Sequence, residues 1–300
     1  MNRTELENLR SERGEVLRIL ESIPKDRVID RGSMEYRLRQ LNELINGAGE
    51  APIPARAIMT FRGRPVVGNN EGIYYGFATK AISTFADAVV LAERDGDDLS
   101  DLGPIPGKKE SGLMIKDTVI GSFGFELEEV VAKDQNPEEE SRTAQALKQV
   151  GEILYNTRAS DDALAQSISD VHPRVLKSLQ SFLEHLASSG ATASFQVNEQ
   201  SFRFEQVAEV QRGAERLKTE NVHETTQELP GRFVGFLPNR RTFEFIKEGE
   251  SDAIVGKVMK SVENASEINA NLKKLITAKV KMSQVGQGRP SYVLVELPAW

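Results

Sequence analysis

Between residues 57 and 131 the chain shows the two periodicities of a folded core in succession. Ala57, Met59 and Phe61 alternate with Ile58, Thr60 and Arg62, the two-residue period that puts every other side chain on one face of a strand. Residues 63–72 supply a glycine-punctuated turn. Ile73, Phe77, Ala81, Phe85 and Val89 then recur every four residues, the stripe of a helix lying on a sheet, and Asn70 is placed to cap that helix. Farther on, Leu113, Ile115 and Val119 share one side of an extended run and Gly121-Ser122 predicts a tight turn. Phe123, Phe125 and Leu127 return on the inner side, while Glu126 and Glu128 face the other way, into solvent or into a site. Residues 55–133 thus predict a central, acidic α/β sandwich-like domain.

The first 46 residues predict a helical hairpin. Leu6, Leu9, Val16, Leu20 and Ile23 follow spacings of three and four once Arg13 is counted in the seam, and Met34, Leu38, Leu41 and Ile45 repeat the pattern. Pro24 ends the first helix and Ser33 is placed to cap the second. Each stripe is narrow, so the pair needs something to lie against. A second copy in a four-helix bundle is one solution, and the chain's own central domain is the other. The first solution predicts a dimer with those residues as its interface, visible by light scattering and lost in Leu20→Asp. Arg13 would then set the register or snorkel to the edge.

After the short linker AGEAPIP comes the central domain, and after the polar run DQNPEEES come helices again. Residues 138–218 predict a helical layer with a β-hairpin. Ala146, Val150, Ile153 and Leu154 mark one helix, Ser160 caps a short second one, and Pro173 opens a third with a broad apolar face from Val175 to Leu186. Residues 192–197 and 201–204 read as a hairpin turning at Asn198-Glu199. Three helices and a hairpin is the order of a winged helix, and LAQSISDVHPRVLKSLQSFLEHLASSGA resembles its helix-turn-helix. That resemblance implies Arg174, Lys177 and Gln180 as DNA-reading side chains; the alternative is a structural helical layer.

Beyond a helix near residues 206–217 and a polar stretch, TENVHETTQE, residues 229–300 predict a small β-barrel. GRFVGFL, RTFEFIK, AIVGKVM, LITAKVKM and SYVLVEL are five short strands, with a helix over 266–273 between the third and fourth. That is the order of an OB-like barrel, whose closure removes open edges. The fold class is therefore α+β, in four parts.

Composition narrows the function. The chain has 300 residues, 39% of them hydrophobic, no cysteine and three histidines. Disulfides, thiolate nucleophiles and cysteine-held metals are excluded together, as fits a reducing, cytoplasmic setting. No run approaches a membrane span, so no membrane partner is expected. The net charge of -7 is unevenly spread: residues 93–140 hold 14 acids against 5 bases, and residues 229–300 hold 11 bases against 7 acids. Arg232, Arg240, Arg241, Lys257, Lys279 and Lys281, with Lys273 and Lys274, could make a basic face for single-stranded nucleic acid. Phe233, Phe236, Phe243 and Phe245 are needed for the barrel core, however, which leaves few rings for stacking.

Catalytic motifs are incomplete. The series Gly63, Gly68, Gly72 and Gly76 lacks both the GK[ST] ending of a phosphate loop and the GxGxxG of a dinucleotide site. The loop DGDDLSDLGPIPG misses the EF-hand spacing. Asp117, Glu126 and Glu128 are acids on neighbouring strands, as metal-dependent hydrolases use, without the accompanying lysine. His172, His185 and His223 have no metal-ligand spacing. The leading expectation is a non-enzymatic oligomeric interaction or regulatory protein, needing no cofactor, that recruits a protein partner through barrel and central domain. Nucleic-acid binding and metal-dependent hydrolysis are the alternatives.

Overall fold

A computed structural model describes the chain apart from residues 1–2, 25–26, 48–53, 69–70, 95–98, 101–102, 106–111, 120–122, 132–139 and 198–199, with backbone alone at 3–8, 21, 28, 46 and 47. Asn70, the turns at Gly121-Ser122 and Asn198-Glu199, most of the acidic loop and linkers, and the side chain of Leu6 lie outside this description. The fold is mixed α+β with an N-terminal helical hairpin and a closed five-stranded barrel. It divides into two compact units: Met1–Pro54 with Val131–Ser141, and Ala55–Val130 with Arg142–Trp300.

In the first unit, α1 (Arg3–Ser22) stops just before Pro24 and α2 spans Val28–Gly47. Ser33 therefore lies inside α2, and the expected cap there is corrected. The helix starts a turn earlier because Asp30 suits the positive end of its dipole and pairs with Arg27 at 3.3 Å. Val16, Leu20 and Leu41 are buried, with Leu9, Met34 and Leu38 packed against them, and Ile23 and Ile45 are half-buried. Two arginines tie the helices together. Arg37 donates to Glu12 Oε1 at 2.6 and 2.9 Å, and Arg31 Nη1 donates to the Leu20 and Ile23 carbonyls at 3.2 and 3.1 Å, satisfying acceptors that the end of α1 leaves open.

The second unit is built on an antiparallel sheet in the order β4-β5-β1-β6-β7, comprising β1 (Arg56–Gly63), β4 (Leu113–Thr118), β5 (Phe123–Glu129), β6 (Ala191–Val197) and β7 (Gln200–Arg203). Ala57, Met59 and Phe61 are buried as their alternation requires. Strand β1 pairs with β5 on one side and β6 on the other. Segments 55–133 and 138–218, separate in the sequence reading, thus contribute to one sheet and one apolar core. The β6–β7 hairpin is accordingly no projecting wing, because β6 is an interior strand. Helices α3 (Tyr75–Glu93), α4 (Arg142–Asn156), α5 (Asp161–Ile168), α6 (Pro173–Ser188) and α7 (Val207–Arg216) complete the layer. Phe85, Phe182 and Phe195 pack with ring centres 5.8–6.1 Å apart. The opposite face of the sheet carries Arg56, Ile58, Thr60, Thr192, Ser194 and Gln196, half-buried or exposed.

Helix α3 begins at Tyr75, and its N-cap is Tyr74, which makes no side-chain cap bond. Strands β2 (Val66–Val67) and β3 (Gly72–Ile73) pair antiparallel just before it. Elsewhere the expected caps are present: the Ser160 hydroxyl accepts from Ala163 N at 3.1 Å, and Pro173 opens α6.

The barrel comprises β8 (Val222–Leu237), β9 (Thr242–Lys247), β10 (Ala253–Val258), β11 (Ile276–Val285) and β12 (Ser291–Leu294), with α8 (Glu267–Ala270) between β10 and β11. The order around it is β10-β12-β11-β8-β9, parallel only at β10–β12. This is the OB-like arrangement expected. Phe233 meets Phe243 and Phe245 edge-on at 5.4 and 5.1 Å in its core. The first part of β8, Val222–Glu228, comes from the polar stretch TENVHETTQE, because pairing with β11 from Val222 to Gly231 holds exposed polar residues in a strand. The barrel is fastened to the helical layer. Lys257 Nζ donates to the Gln166 carbonyl at 3.1 Å and lies 3.7 Å from Asp170, while Arg289 N donates to Asp162 Oδ1.

Candidate interaction surfaces

The three acids of the central sheet are neighbours, since Asp117 lies opposite Glu126 and Glu128 is two residues along the same strand. The sheet supplies each glutamate with a counter-charge. Arg56 Nε is 2.7 Å from Glu126 Oε1, and Lys116 Nζ is paired with the buried Glu128. Asp117 Oδ1 accepts from Thr118 N at 2.7 Å. The adjacent Glu129, also buried, accepts from Ala55 N at 3.1 Å and so ties β5 to the start of β1. Among the described residues no three His, Asp or Glu side chains are grouped to hold a metal ion.

The bases of the barrel divide into two sets. Arg241, in the left-handed region at φ 49, gives its guanidinium to the carbonyls of Val258, Met259 and Val262. Lys257 joins barrel to helices, Lys279 stands 3.2 Å from Glu296, and Lys281 stands 2.8 Å from Glu224. Lys274 bonds Asn271 Oδ1 at 2.7 Å, and Lys273 is exposed. Arg232 and Arg240 are exposed too, and they are the more open part of the predicted basic face. The barrel exposes Leu237, Val255, Leu275 and, at 36%, Trp300, while its phenylalanines fill the core.

The expected DNA-reading side chains serve the fold as well. Arg174 donates to the carbonyls of Ser100 and Gly103 at 3.0 and 2.7 Å, Gln180 bonds Glu184 at 2.9 Å, and Lys177 is exposed on α6. The His172 ring accepts from Arg174 N as the α6 cap, His185 stacks on Phe77 with its Nε2 3.1 Å from the Phe77 carbonyl, and His223 is exposed on β8.

A small polar cavity of about 170 Å³ is lined by Ala92, Glu93, Arg142, Gln145, Ala146, Gln149 and Lys260. Glu93 Oε1 is buried there without a hydrogen-bond partner. Burial raises the Glu93 carboxyl above its ordinary range; a Thr143 hydrogen bond opposes this, and the charge of Glu129 adds to it.

Sequence reasoning missed the exposed tyrosines. Tyr74 and Tyr75 are 63% and 85% exposed at the start of α3. The available signal was their position between Ile73 and Phe77, off the four-residue stripe. No protein-family model, curated protein or solved structure matches the chain. No helix among the described residues is long and apolar enough to cross a membrane.

Proposed function

We propose that the protein is a non-enzymatic assembly protein of a reducing, cytoplasmic compartment, in which the hairpin joins two copies and the sheet-and-barrel unit recruits a protein partner. The observation that carries this reading is the hairpin's imbalance. Only Val16, Leu20 and Leu41 are buried among its described apolar side chains, whereas Leu17, Ile19, Ile29, Tyr36 and Leu44 are exposed. On α1, Leu17 and Ile19 fall on opposite flanks of the Leu9–Val16–Leu20 stripe, so a second helical pair would find apolar surface on either side of it. So small a core is marginal alone, and burying four such side chains at an interface would stabilise the pair by several kcal/mol, at roughly 1.5–3 kcal/mol each.

Light scattering of the full chain tests it. The expected mass is twice that of one chain. Because Leu20 is buried within the hairpin, the cleaner variant is Leu17→Glu with Leu44→Glu, both on exposed positions. It should halve the mass and keep the helical signal, whereas a wild-type mass of a single chain removes the proposal.

A further inference from the structure

We infer that two copies of the chain meet through one particular face of the hairpin, the one bearing Glu12, Ile19, Arg37 and Leu44, and that they meet antiparallel across a two-fold axis through the Glu12–Arg37 pair. The inference rests on the assembly reading above and decides a point that reading leaves open, since Leu17 and Ile19 offer apolar surface on opposite flanks of α1.

The ion pair marks the face. Arg37 donates from Nε and Nη2 to Glu12 Oε1 at 2.9 and 2.6 Å, and its side chain and that of Glu12 stay 44% and 40% exposed. Ile19 stands seven residues after Glu12, and Leu44 stands seven after Arg37. Seven residues are two helical turns, so each apolar side chain lies only about 20° around its helix from the charge it follows, and about 10 Å farther along. Because α1 and α2 run in opposite directions, Ile19 and Leu44 sit at opposite ends of this face with the ion pair midway between them. They are 46% and 51% exposed. Half-buried Ile23, one turn beyond Ile19, enlarges the apolar surface at that end.

Such a face is its own complement. A two-fold axis through the middle of the ion pair lays α1 of one copy on α2 of the other. Ile19 then meets the partner's Leu44, and Leu44 meets the partner's Ile19. At the centre each Glu12 faces the partner's Arg37, so the four charges alternate in sign around the axis. A parallel pairing would match those charges equally well, but it would set Ile19 against the start of α2, where Asp30 pairs with Arg27 and Arg31 reaches the Leu20 and Ile23 carbonyls. The other flank has a different character. Leu17 lies about 140° around α1 from Glu12. It follows Arg10 by seven residues and Arg13 by four, so that flank of α1 carries two cations beside one apolar side chain. The antiparallel axis also places the two chain exits, at Gly47 of each copy, at opposite ends of a bundle roughly 30 Å long, the length of a twenty-residue helix.

The chain has no cysteine, so single introduced cysteines report the contacts directly. Full-length Ile19→Cys and Leu44→Cys proteins, each oxidised mildly by itself, should stay unlinked, because like positions lie roughly 20 Å apart and a disulfide spans no more than about 7 Å between Cα atoms. Mixed in equal amounts and allowed to exchange before oxidation, the two should give a linked pair on a non-reducing gel. In light scattering, Ile19→Glu should show the mass of one chain and Leu17→Glu that of two, with the helical signal of both unchanged. A single-chain mass for the wild type overturns this inference together with the assembly reading. Three results on a dimeric wild type overturn this inference alone and leave the assembly reading standing: a mixture that fails to link, either cysteine variant linking to itself, or a mass halved by Leu17→Glu and not by Ile19→Glu.

Discussion

Arg241 and Met259 are joined by a 2.7 Å hydrogen bond from guanidinium Nη2 to a backbone carbonyl. The same side chain reaches the carbonyls of Val262 at 2.7 Å and Val258 at 3.3 Å, so it organises the connection that leaves β10. Its neighbour Arg240 is exposed and makes no such bonds. Two adjacent arginines that look alike in sequence have unrelated duties. Arg241→Ala should cost about 2–3 kcal/mol, since carbonyls lose a charged donor. Arg240→Ala should stay within about 0.5 kcal/mol of wild type. Urea denaturation of the two variants separates them, and equal losses would contradict the assignment.

Glu93 predicts a specific pH dependence. Its carboxyl is raised chiefly by burial, so the folded chain holds this proton more tightly than the unfolded chain does. Its contribution to stability is therefore full below the ordinary value of 4.5, declines as pH rises through the raised value, and is lost above it. Glu93→Gln keeps the shape and removes the charge. The variant should gain on wild type as pH rises through that window and be the more stable of the two at neutral pH. Denaturation midpoints measured in parallel from about pH 4 to pH 8 would show it. A difference that shrinks with pH would reverse the sign and refute the account.

Glycines of the same domain should respond in opposite ways. At Gly124, facing Thr60 across the β1–β5 pair, a Cβ would lie 2.1 Å from the Met59 carbonyl oxygen. Neither strand can retreat, since β1 is also held by β6, and Gly124→Ala should cost about 1–3 kcal/mol or more. At Gly76, in the first turn of α3, a Cβ would meet nothing within 4 Å. Gly76→Ala should stabilise by roughly 0.5–1 kcal/mol by favouring the helix. Thermal melts of both variants decide the matter, and destabilisation by Gly76→Ala would mean that its backbone is closely approached.

Arg13 offers a test of the hairpin from inside. It sits half-buried in the apolar stripe, with its Nε buried and without an acceptor. An unpaired donor there is costly, on the order of 1 kcal/mol or more. Arg13→Leu should raise protection against amide exchange across α1 and α2. Reduced protection would show that the guanidinium does more for the pair than its bonds suggest.

Much of the architecture is legible in the sequence because it is local. Ala57, Met59 and Phe61 announce β1, Ser160 and Pro173 announce helix starts, and five short strands around one helix announce the barrel. What is not legible is pairing across long separations. Nothing in the residues around Met59 specifies which strand will lie beside it; its partner on one side is Phe195, and only the folded sheet brings the two together. The same holds for the run from His223 to Glu228, which has the composition of a linker and becomes a strand because β11 lies beside it. The candidate sites are hard to read for a related reason. Charge counts identify Lys257, Lys279, Lys281 and Arg241, but a count does not say that Asp170, Glu296, Glu224 and three carbonyls already engage them.

The position of β1 between β5 and β6 has a consequence during synthesis. Its partner β6 is made long after β5, so a nascent chain that has released β1, β5 and α3 from the ribosome still presents an unpaired inner edge rich in apolar side chains. Until Ala191–Val197 emerges, that edge is open to the wrong strand, and holdase chaperones would find their best target there.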